Sequence, residues 1–242
     1  MPSAARCHAL LPCAGSGSRA GLSIPKQYQR IAGEPLVQHT LRALGAVARI
    51  ERILVVLAPQ DDHAWPPLPP RVELARVGGA TRAESVLNGL CRLLAHGAQP
   101  QDWVLVHDAA RCLITPALID TLIDACLPDP VGGLLALPCS DTIKTEGRDP
   151  QGQSTGRIAT TLPRGGQWLA QTPQMFCLGA LHDTLQRQAA HGFTGITDEA
   201  SAIERAGGQP LLVRGSAQNF KVTWPEDLAL AEAVLQSRQA SP

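Results

Sequence analysis

Apolar and polar positions change period repeatedly along this chain. Short, continuous apolar runs at 9–11, 52–58 (RILVVLA), 103–106 (WVLV) and 133–138 (GLLALP) read as strands buried on both faces, because a strand with one wet face would alternate strictly. Between them the spacing becomes helical. Over 35–48, preceded by Gly33, the residues Leu36, Val37, Thr40, Leu41 and Leu44 share one face; over 81–94, after Gly78 and Gly79, so do Val86, Leu87, Leu90, Leu93 and Leu94. Thr115 and Pro116 open a helix through Cys126. Further helices are predicted at 178–190, at 197–206 with Thr197 as cap, and at 225–236 starting on Pro225. Shorter strands are predicted at 72–77 and 210–213. The consecutive prolines of 65–70 (WPPLPP) lack N–H donors and read as a stiff, peripheral surface loop. Residues 145–167 carry only scattered apolar positions and read as an arm or flap outside the core. Strands alternating with helices predict an α/β domain with a mostly parallel sheet covered by helices, and no internal repeat is visible.

Composition narrows the choice. A chain of 242 residues can bury one large α/β core, and a single domain over 1–242 is expected. Lys plus Arg equals Asp plus Glu at 21 each, so no global basic field recruits nucleic acid, and any anion must be bound locally. With 3% aromatic residues, a stacking platform for single-stranded nucleic acid is not expected either. The seven cysteines are dispersed without a CxxC pair, which suits reduced thiols in a cytoplasm. The apolar patch at 9–11 is too short for a signal segment, and no run reaches the roughly 18 apolar residues of a membrane helix.

The chemistry concentrates around residues 10–27 (LLPCAGSGSRAGLSIPKQ). Small residues there let main-chain N–H groups approach a phosphate chain, and Arg19 and Lys26 add positive charge. Gly15, Gly17 and Ala20 fit a dinucleotide fingerprint in spacing alone. Pro25 interrupts the helix that the fingerprint requires, and the loop lacks the G-K-[ST] ending of a P-loop. Asp108 follows the 103–106 strand, at the carboxyl end where open α/β sheets bind ligands. Alone it reads equally well as a turn residue. Beside phosphate-binding cations it is also what Mg²⁺ needs, because that ion takes one or two carboxylates plus phosphate oxygens. Lys221, between Phe220 and Val222, reads as an ordered strand end. His107 reads as structural, and Cys13 and Cys139 as packing residues without a charged neighbour to activate them.

Six motifs in order, LLPCAGSGSRAGLSIPKQY, VHDAAR at 106–111, SDTIK at 140–144, QTPQMF at 171–176, TDEAS at 197–201 and NFKVTWPEDLALAE at 219–232, resemble the 2-C-methyl-D-erythritol 4-phosphate cytidylyltransferase family over nearly the whole chain. The resemblance implies a Rossmann-like nucleotide-diphospho-sugar transferase fold with an extended dimerisation arm at 139–166. It implies joining of CTP and methylerythritol 4-phosphate to give a CDP-alcohol and pyrophosphate. On that basis Arg19, Lys26 and Lys221 surround the α-phosphorus and Asp108 holds Mg²⁺. Pro12, Cys13, Ala14, Gly15, Gly79, Arg82 and Ser85 bind the cytidine nucleotide. Arg111, Thr142 and Arg164 bind the acceptor phosphate, with Thr142 and Arg164 serving a partner subunit of a homodimer. Departures from the family pattern are Cys13 for Ala, Ala20 for Met, Phe220 for Ile and the 65–70 loop. Cys13 beside a nucleotide suggests sensitivity to alkylation. Some relatives are fused to a cyclase, for which 242 residues leave no room, so a stand-alone form is expected. A cytidylyltransferase for another polyol phosphate, such as ribitol 5-phosphate, and a non-catalytic nucleotide-binding regulator remain alternatives at this level.

Overall fold

The continuous apolar runs become the central strands of one sheet in a computed structural model that describes residues 5–15 and 24–240. Strand β1 (Cys7–Pro12) leads to a 3₁₀ turn at Lys26–Tyr28, and the two-residue ladder of β2 (Arg30–Ile31) with β3 (Glu34–Pro35) delivers the chain into helix α1 (Leu36–Gly45). Strand β4 (Ile50–Val56), strand β5 (Val72–Ala75) and helix α2 (Arg82–Ala95) complete the first half. Then come β6 (Trp103–Val106), α3 (Pro116–Cys126) and β7 (Gly132–Pro138). A hairpin of β8 (Ile143–Arg148) and β9 (Ser154–Leu162) stands apart from the main sheet. The chain closes with β10 (Trp168–Cys177), α4 (Leu178–Ala189), α5 (Glu199–Arg205), β11 (Leu211–Arg214) and α6 (Pro225–Ala240).

The seven strands lie in the order β11-β7-β10-β6-β1-β4-β5. All neighbours are parallel except β10, which runs antiparallel to both β6 and β7. No strand was predicted at β10, and the residues explain why: its middle reads Gln171, Thr172, Pro173, Gln174, a polar stretch with a proline. Those three polar side chains are nevertheless buried. They survive burial because each finds a partner: Gln171 accepts from Asn219, Thr172 donates to His107, and Gln174 accepts from the Ala200 amide.

Side chains of the central strands alternate between two cores. Ala9, Leu11, Ile53, Val55, Trp103 and Leu105 face one cluster, while Leu10, Leu54, Val56, Val104 and Val106 face the other. Helices α1 and α3 cover the first face; α2, α4 and α5 cover the second. Gly89 lets α2 sit close on the sheet, since a Cβ there would lie 2.7 Å from Leu10 Cδ1 and 2.8 Å from Val56 Cγ2. Helix α6 closes a third, smaller cluster through Ala231, with Ile31, Leu36, Leu113 and Val222.

Two local expectations change. The proline-rich loop is not wholly peripheral: Trp65 and Leu68 pack against the first core, and the Tyr28 ring stacks on His63 at 3.7 Å with Trp65 edge-on at 5.8 Å. Tyr28 also donates its hydroxyl proton to Asp61 at 2.7 Å, so the loop braces the turn that carries Lys26. The cap of α5 is Asp198 rather than Thr197. Its carboxylate accepts from the Ser201 amide while the Ser201 hydroxyl accepts from the Asp198 amide, a reciprocal box that Thr197 is one residue too early to make. The 145–167 arm is regular, being the β8–β9 hairpin, and every residue of β9 is exposed.

Candidate active site

The carboxyl ends of β1 and β6 and the amino end of α2 converge on a cleft of about 260 Å³. Register builds it. The Cys13 amide donates to Val56 O at 2.7 Å and extends the β1–β4 pairing by one residue, after which Ala14 and Gly15 open away as the rim. Gly78 supplies the facing wall, where a Cβ would lie 2.3 Å from Ala14 Cβ and 2.7 Å from Leu57 O, so glycine is required by close approach. Helix α2 then starts on Thr81, whose hydroxyl accepts from the Glu84 amide at 3.1 Å. The Ser85 hydroxyl donates to Thr81 O and accepts from the Gly79 amide at 3.1 Å, tying that glycine to the helix.

Every predicted nucleotide residue lines this cleft: Pro12, Cys13, Ala14 and Gly15 on one side, Gly79, Arg82 and Ser85 on the other. Lys26, Asp108 and Lys221 line it too. Arg19 lies outside the described residues. Arg111, Thr142 and Arg164 are elsewhere: Arg111 donates to Asn219 O at 2.8 Å and Ala170 O at 3.1 Å, and Thr142 and Arg164 are exposed at the base of the hairpin, where Arg164 donates to Ser140 O at 2.5 Å. Sequence reasoning passed over Gln27, which donates to Cys13 O at 2.9 Å and so ties the Lys26 turn to the β1 end. Thr81 was legible only as a helix start; its T-x-x-E spacing to Glu84 is a capping signal.

The electrostatic centre is Asp108. Its Oδ1 accepts from Arg82 Nε at 3.0 Å and its Oδ2 from Lys221 Nζ at 2.6 Å. Burial alone would raise this carboxyl, but Arg82, Lys221 and then Arg111 hold it well below the usual carboxylate range. Arg82 in turn gives its two terminal nitrogens to Glu199, at 2.7 and 3.1 Å. Lys221 sits on an irregular segment rather than the predicted strand end. The segment is fixed because the Val222 amide donates to Ala110 O at 2.9 Å and the buried Asn219 amide group donates to Thr172 O at 2.9 Å.

His107 is structural, as its surroundings in the sequence suggested. A backbone carbonyl can only accept, so the contact of Nε2 with Arg111 O at 3.2 Å places the ring proton there, and Nδ1 accepts from the Thr172 hydroxyl at 3.0 Å. Burial depresses its pKa to about 4, which keeps the ring neutral. Thr172 also accepts from the Asp108 amide at 3.0 Å, and thereby fixes the backbone that aims the carboxylate. The expected reactivity of Cys13 does not fit the fold: the thiol is buried, and burial pushes its pKa far up, with Asp108 and Asp61 adding to the rise.

Asp108 is the one carboxylate among the described residues lining the cleft. That suits a hard cation that keeps waters and phosphate oxygens as its other ligands, and does not suit an all-protein cage; no group of three or more His, Cys, Asp or Glu that could hold a metal ion occurs among the described residues. Among those residues, too, no helix is long and apolar enough to cross a membrane.

Comparison with known proteins agrees with this geometry. A family model described as 2-C-methyl-D-erythritol 4-phosphate cytidylyltransferase (IspD) matches residues 7–237. A protein of that name from Laribacter hongkongensis is 58% identical over 233 residues, covering 95% of this chain and 96% of its own. The bifunctional enzyme IspD/IspF of Albidiferax ferrireducens is 59% identical over 237 residues, 97% of this chain but 54% of that longer protein. A crystal structure of a 4-diphosphocytidyl-2C-methyl-D-erythritol synthase superposes with a TM-score of 0.81 at 36% identity, covering 96% of this chain and 99% of its own.

Proposed function

The chain belongs to the 2-C-methyl-D-erythritol 4-phosphate cytidylyltransferase family, with its nucleotidyltransferase Rossmann-like fold, and from that premise we propose how the cleft around Asp108 carries out the family's reaction. The enzyme joins CTP and 2-C-methyl-D-erythritol 4-phosphate to give 4-diphosphocytidyl-2-C-methyl-D-erythritol and pyrophosphate. A phosphate oxygen of the acceptor attacks the α-phosphorus, a new P–O bond forms, and the bond to the β-phosphate oxygen breaks with pyrophosphate as leaving group. The attacking phosphate is already an anion, so no strong base is needed; the obstacle is repulsion between two phosphates. The observation that carries the reading is the meeting of Lys26, Lys221 and Arg82 with Asp108 in one cleft. Charge that the fold already gathers around the reacting phosphates is the large term in such transfers.

In this reading Pro12 to Gly15 and Gly79 offer backbone groups to the cytidine, Ser85 offers its hydroxyl, and Lys26 and Lys221 approach the α-phosphorus from opposite rims. Arg19 would join them. Asp108 would hold Mg²⁺ through Oδ2, the oxygen now facing the half-exposed Lys221, while bound Mg²⁺ would supply charge neutralisation on the triphosphate. Thr142 and Arg164 are exposed on the hairpin base, away from their own cleft, which supports their serving the cleft of a second copy in a homodimer. Arg111 would reach the acceptor phosphate by releasing one of its two carbonyls. A cytoplasmic setting suits the dispersed cysteines.

The test is Mg²⁺-dependent pyrophosphate release, with CTP, ATP, GTP and UTP each paired with methylerythritol 4-phosphate and with ribitol 5-phosphate. Turnover confined to CTP and methylerythritol 4-phosphate is expected. Turnover with ribitol 5-phosphate alone would reassign the acceptor pocket, and no release with any pair would reduce the cleft to a nucleotide-binding site.

A further inference from the structure

Two of the six motifs, QTPQMF and TDEAS, lie outside the cleft lining, yet they meet behind it. Gln174 of β10 accepts from the Ala200 amide at 2.7 Å through Oε1 and donates to Asp198 Oδ2 at 2.8 Å through Nε2. Its buried amide therefore locks the start of α5 against the sheet. The residue locked in place between these bonds is Glu199, whose side chain is 2% exposed.

We propose that Glu199 is a positioning residue: it holds the Arg82 guanidinium by its outer edge, so that Arg82 gives Asp108 a single bond through Nε and leaves Asp108 Oδ2 to Lys221 and to a cation. This rests on the nucleotidyl-transfer reading of the cleft. A guanidinium offers two edges that can grip a carboxylate with paired bonds, one formed by the two terminal nitrogens and one by Nε with a terminal nitrogen. Glu199 occupies the first at 2.7 and 3.1 Å. Without it, the buried charge would seek its strongest remaining acceptor by turning the second edge onto both oxygens of Asp108. That movement would displace Lys221 and pull Arg82 from the nucleotide wall.

Charge counting favours the same role. Glu199 and Asp108 balance Arg82 and Lys221, so Asp108 stays ionised with only a share of Arg82. Burial pushes the Glu199 carboxyl upward and Arg82 opposes the rise, which makes the pair interdependent. A buried ion pair kept only for stability would not need its arginine to reach a second carboxylate in the cleft.

The experiment is a kinetic cycle with Glu199→Gln, Arg82→Gln and the double variant. Glu199→Gln alone is expected to lower kcat/KM for CTP by about tenfold or more, and to add less than about twofold in the Arg82→Gln background, because it acts through Arg82. Equal losses in both backgrounds, or a lowered melting temperature with unchanged kcat and KM, would overturn the proposal. If the single variants fail to fold, nitrogen-15 spectra of the unsubstituted protein decide. Resolved terminal N–H resonances for Arg82, showing arrested rotation about Cζ–Nη, support the clamp, and one averaged resonance sinks it. That spectrum needs no substrate, so absence of turnover would defeat the assigned reaction while the clamp is judged separately.

Discussion

Strand β6 carries a buried or nearly buried carboxylate at each end, Asp102 just before Trp103 and Asp108 just after His107, and the two are held in opposite ways. Asp102 is held largely by backbone: Oδ1 accepts from the Arg6 amide at 3.1 Å and Oδ2 from the Gln99 amide at 2.8 Å, with the Arg6 guanidinium at 2.9 Å and His8 Nε2 at 3.2 Å. Asp108 is held by two side-chain cations at the mouth of a cleft. Backbone amides cannot leave, so a carboxylate that satisfies them belongs to the fold. A lysine that is 41% exposed can swing away, so the carboxylate it covers can exchange partners with substrate. Of the two acids flanking one strand, one is tied into the backbone and the other lies at the cleft.

The comparison breaks first at Asp108. Asp108→Asn is expected to lower kcat by about 10³-fold, the scale of removing a fixed electrostatic group from a transition state, in a protein that still folds and unfolds cooperatively in a thermal scan. Loss of folding instead would make Asp108 a structural acid like its counterpart. Asp102→Asn should do the reverse. It removes the charge opposite Arg6 and weakens the bonds from two backbone amide donors, which costs about 3 kcal/mol and lowers the melting temperature by about 10 °C in a chain of this size. Turnover per folded molecule should stay within about twofold; a large loss would show that the two ends of β6 are coupled.

Acid titration gives a second measure of how Asp102 supports the fold. Burial opposes it, but the Gln99 and Arg6 amides, then the Arg6 guanidinium and His8, pull Asp102 from 3.8 down to about 2. Its folded pKa lies below its unfolded one, so its contribution is whole above pH 4 or so and disappears as pH falls toward 2, a loss of about 2 kcal/mol. His8 acts earlier in the same direction: burial lowers its pKa, so the unfolded chain takes up a proton that the fold refuses once pH drops below the ordinary histidine range. Chemical denaturation at stepped pH should show stability falling from about pH 6 downward, and below about pH 4 less steeply in Asp102→Asn; parallel curves for the two proteins below about pH 4 would contradict this. The smallest effect is at Glu51, whose bond to Arg6 at 3.2 Å is open to solvent on both sides. Glu51→Gln should cost less than about 0.5 kcal/mol, and a larger cost in the same denaturation assay would extend the Asp102 cluster outward.

How much of this was visible in the chain depends on whether a residue's partners are near in sequence. The runs at 52–58 and 103–106 announced buried strands because apolar side chains need no specific partner, and the strands appear as Ile50–Val56 and Trp103–Val106. Strand β10 was invisible because Gln171, Thr172 and Gln174 are affordable in a core only through Asn219, His107 and Ala200, which lie 26 to 65 residues away along the chain. The Lys26, Asp108 and Lys221 positions were marked by motif, but their convergence was not, since Lys221 and Asp108 are 113 residues apart. Glu199 lies in the first turn of the helix predicted at 197–206, where nothing nearby in sequence marks Arg82 as its partner, and Asp102 gave no signal at all.

By itself, then, the sequence determined the α/β alternation, the family and the chemical types at the cleft, because hydrophobic periodicity and motif identity are properties of residues taken a few at a time. Only the tertiary structure decided that β10 runs against its neighbours, that Glu199 grips Arg82, and that one acid flanking β6 is held by backbone amides while the other lines the cleft. Those outcomes depend on which polar group finds which partner across the sheet, and a buried polar group has no fixed meaning until that partner is in place.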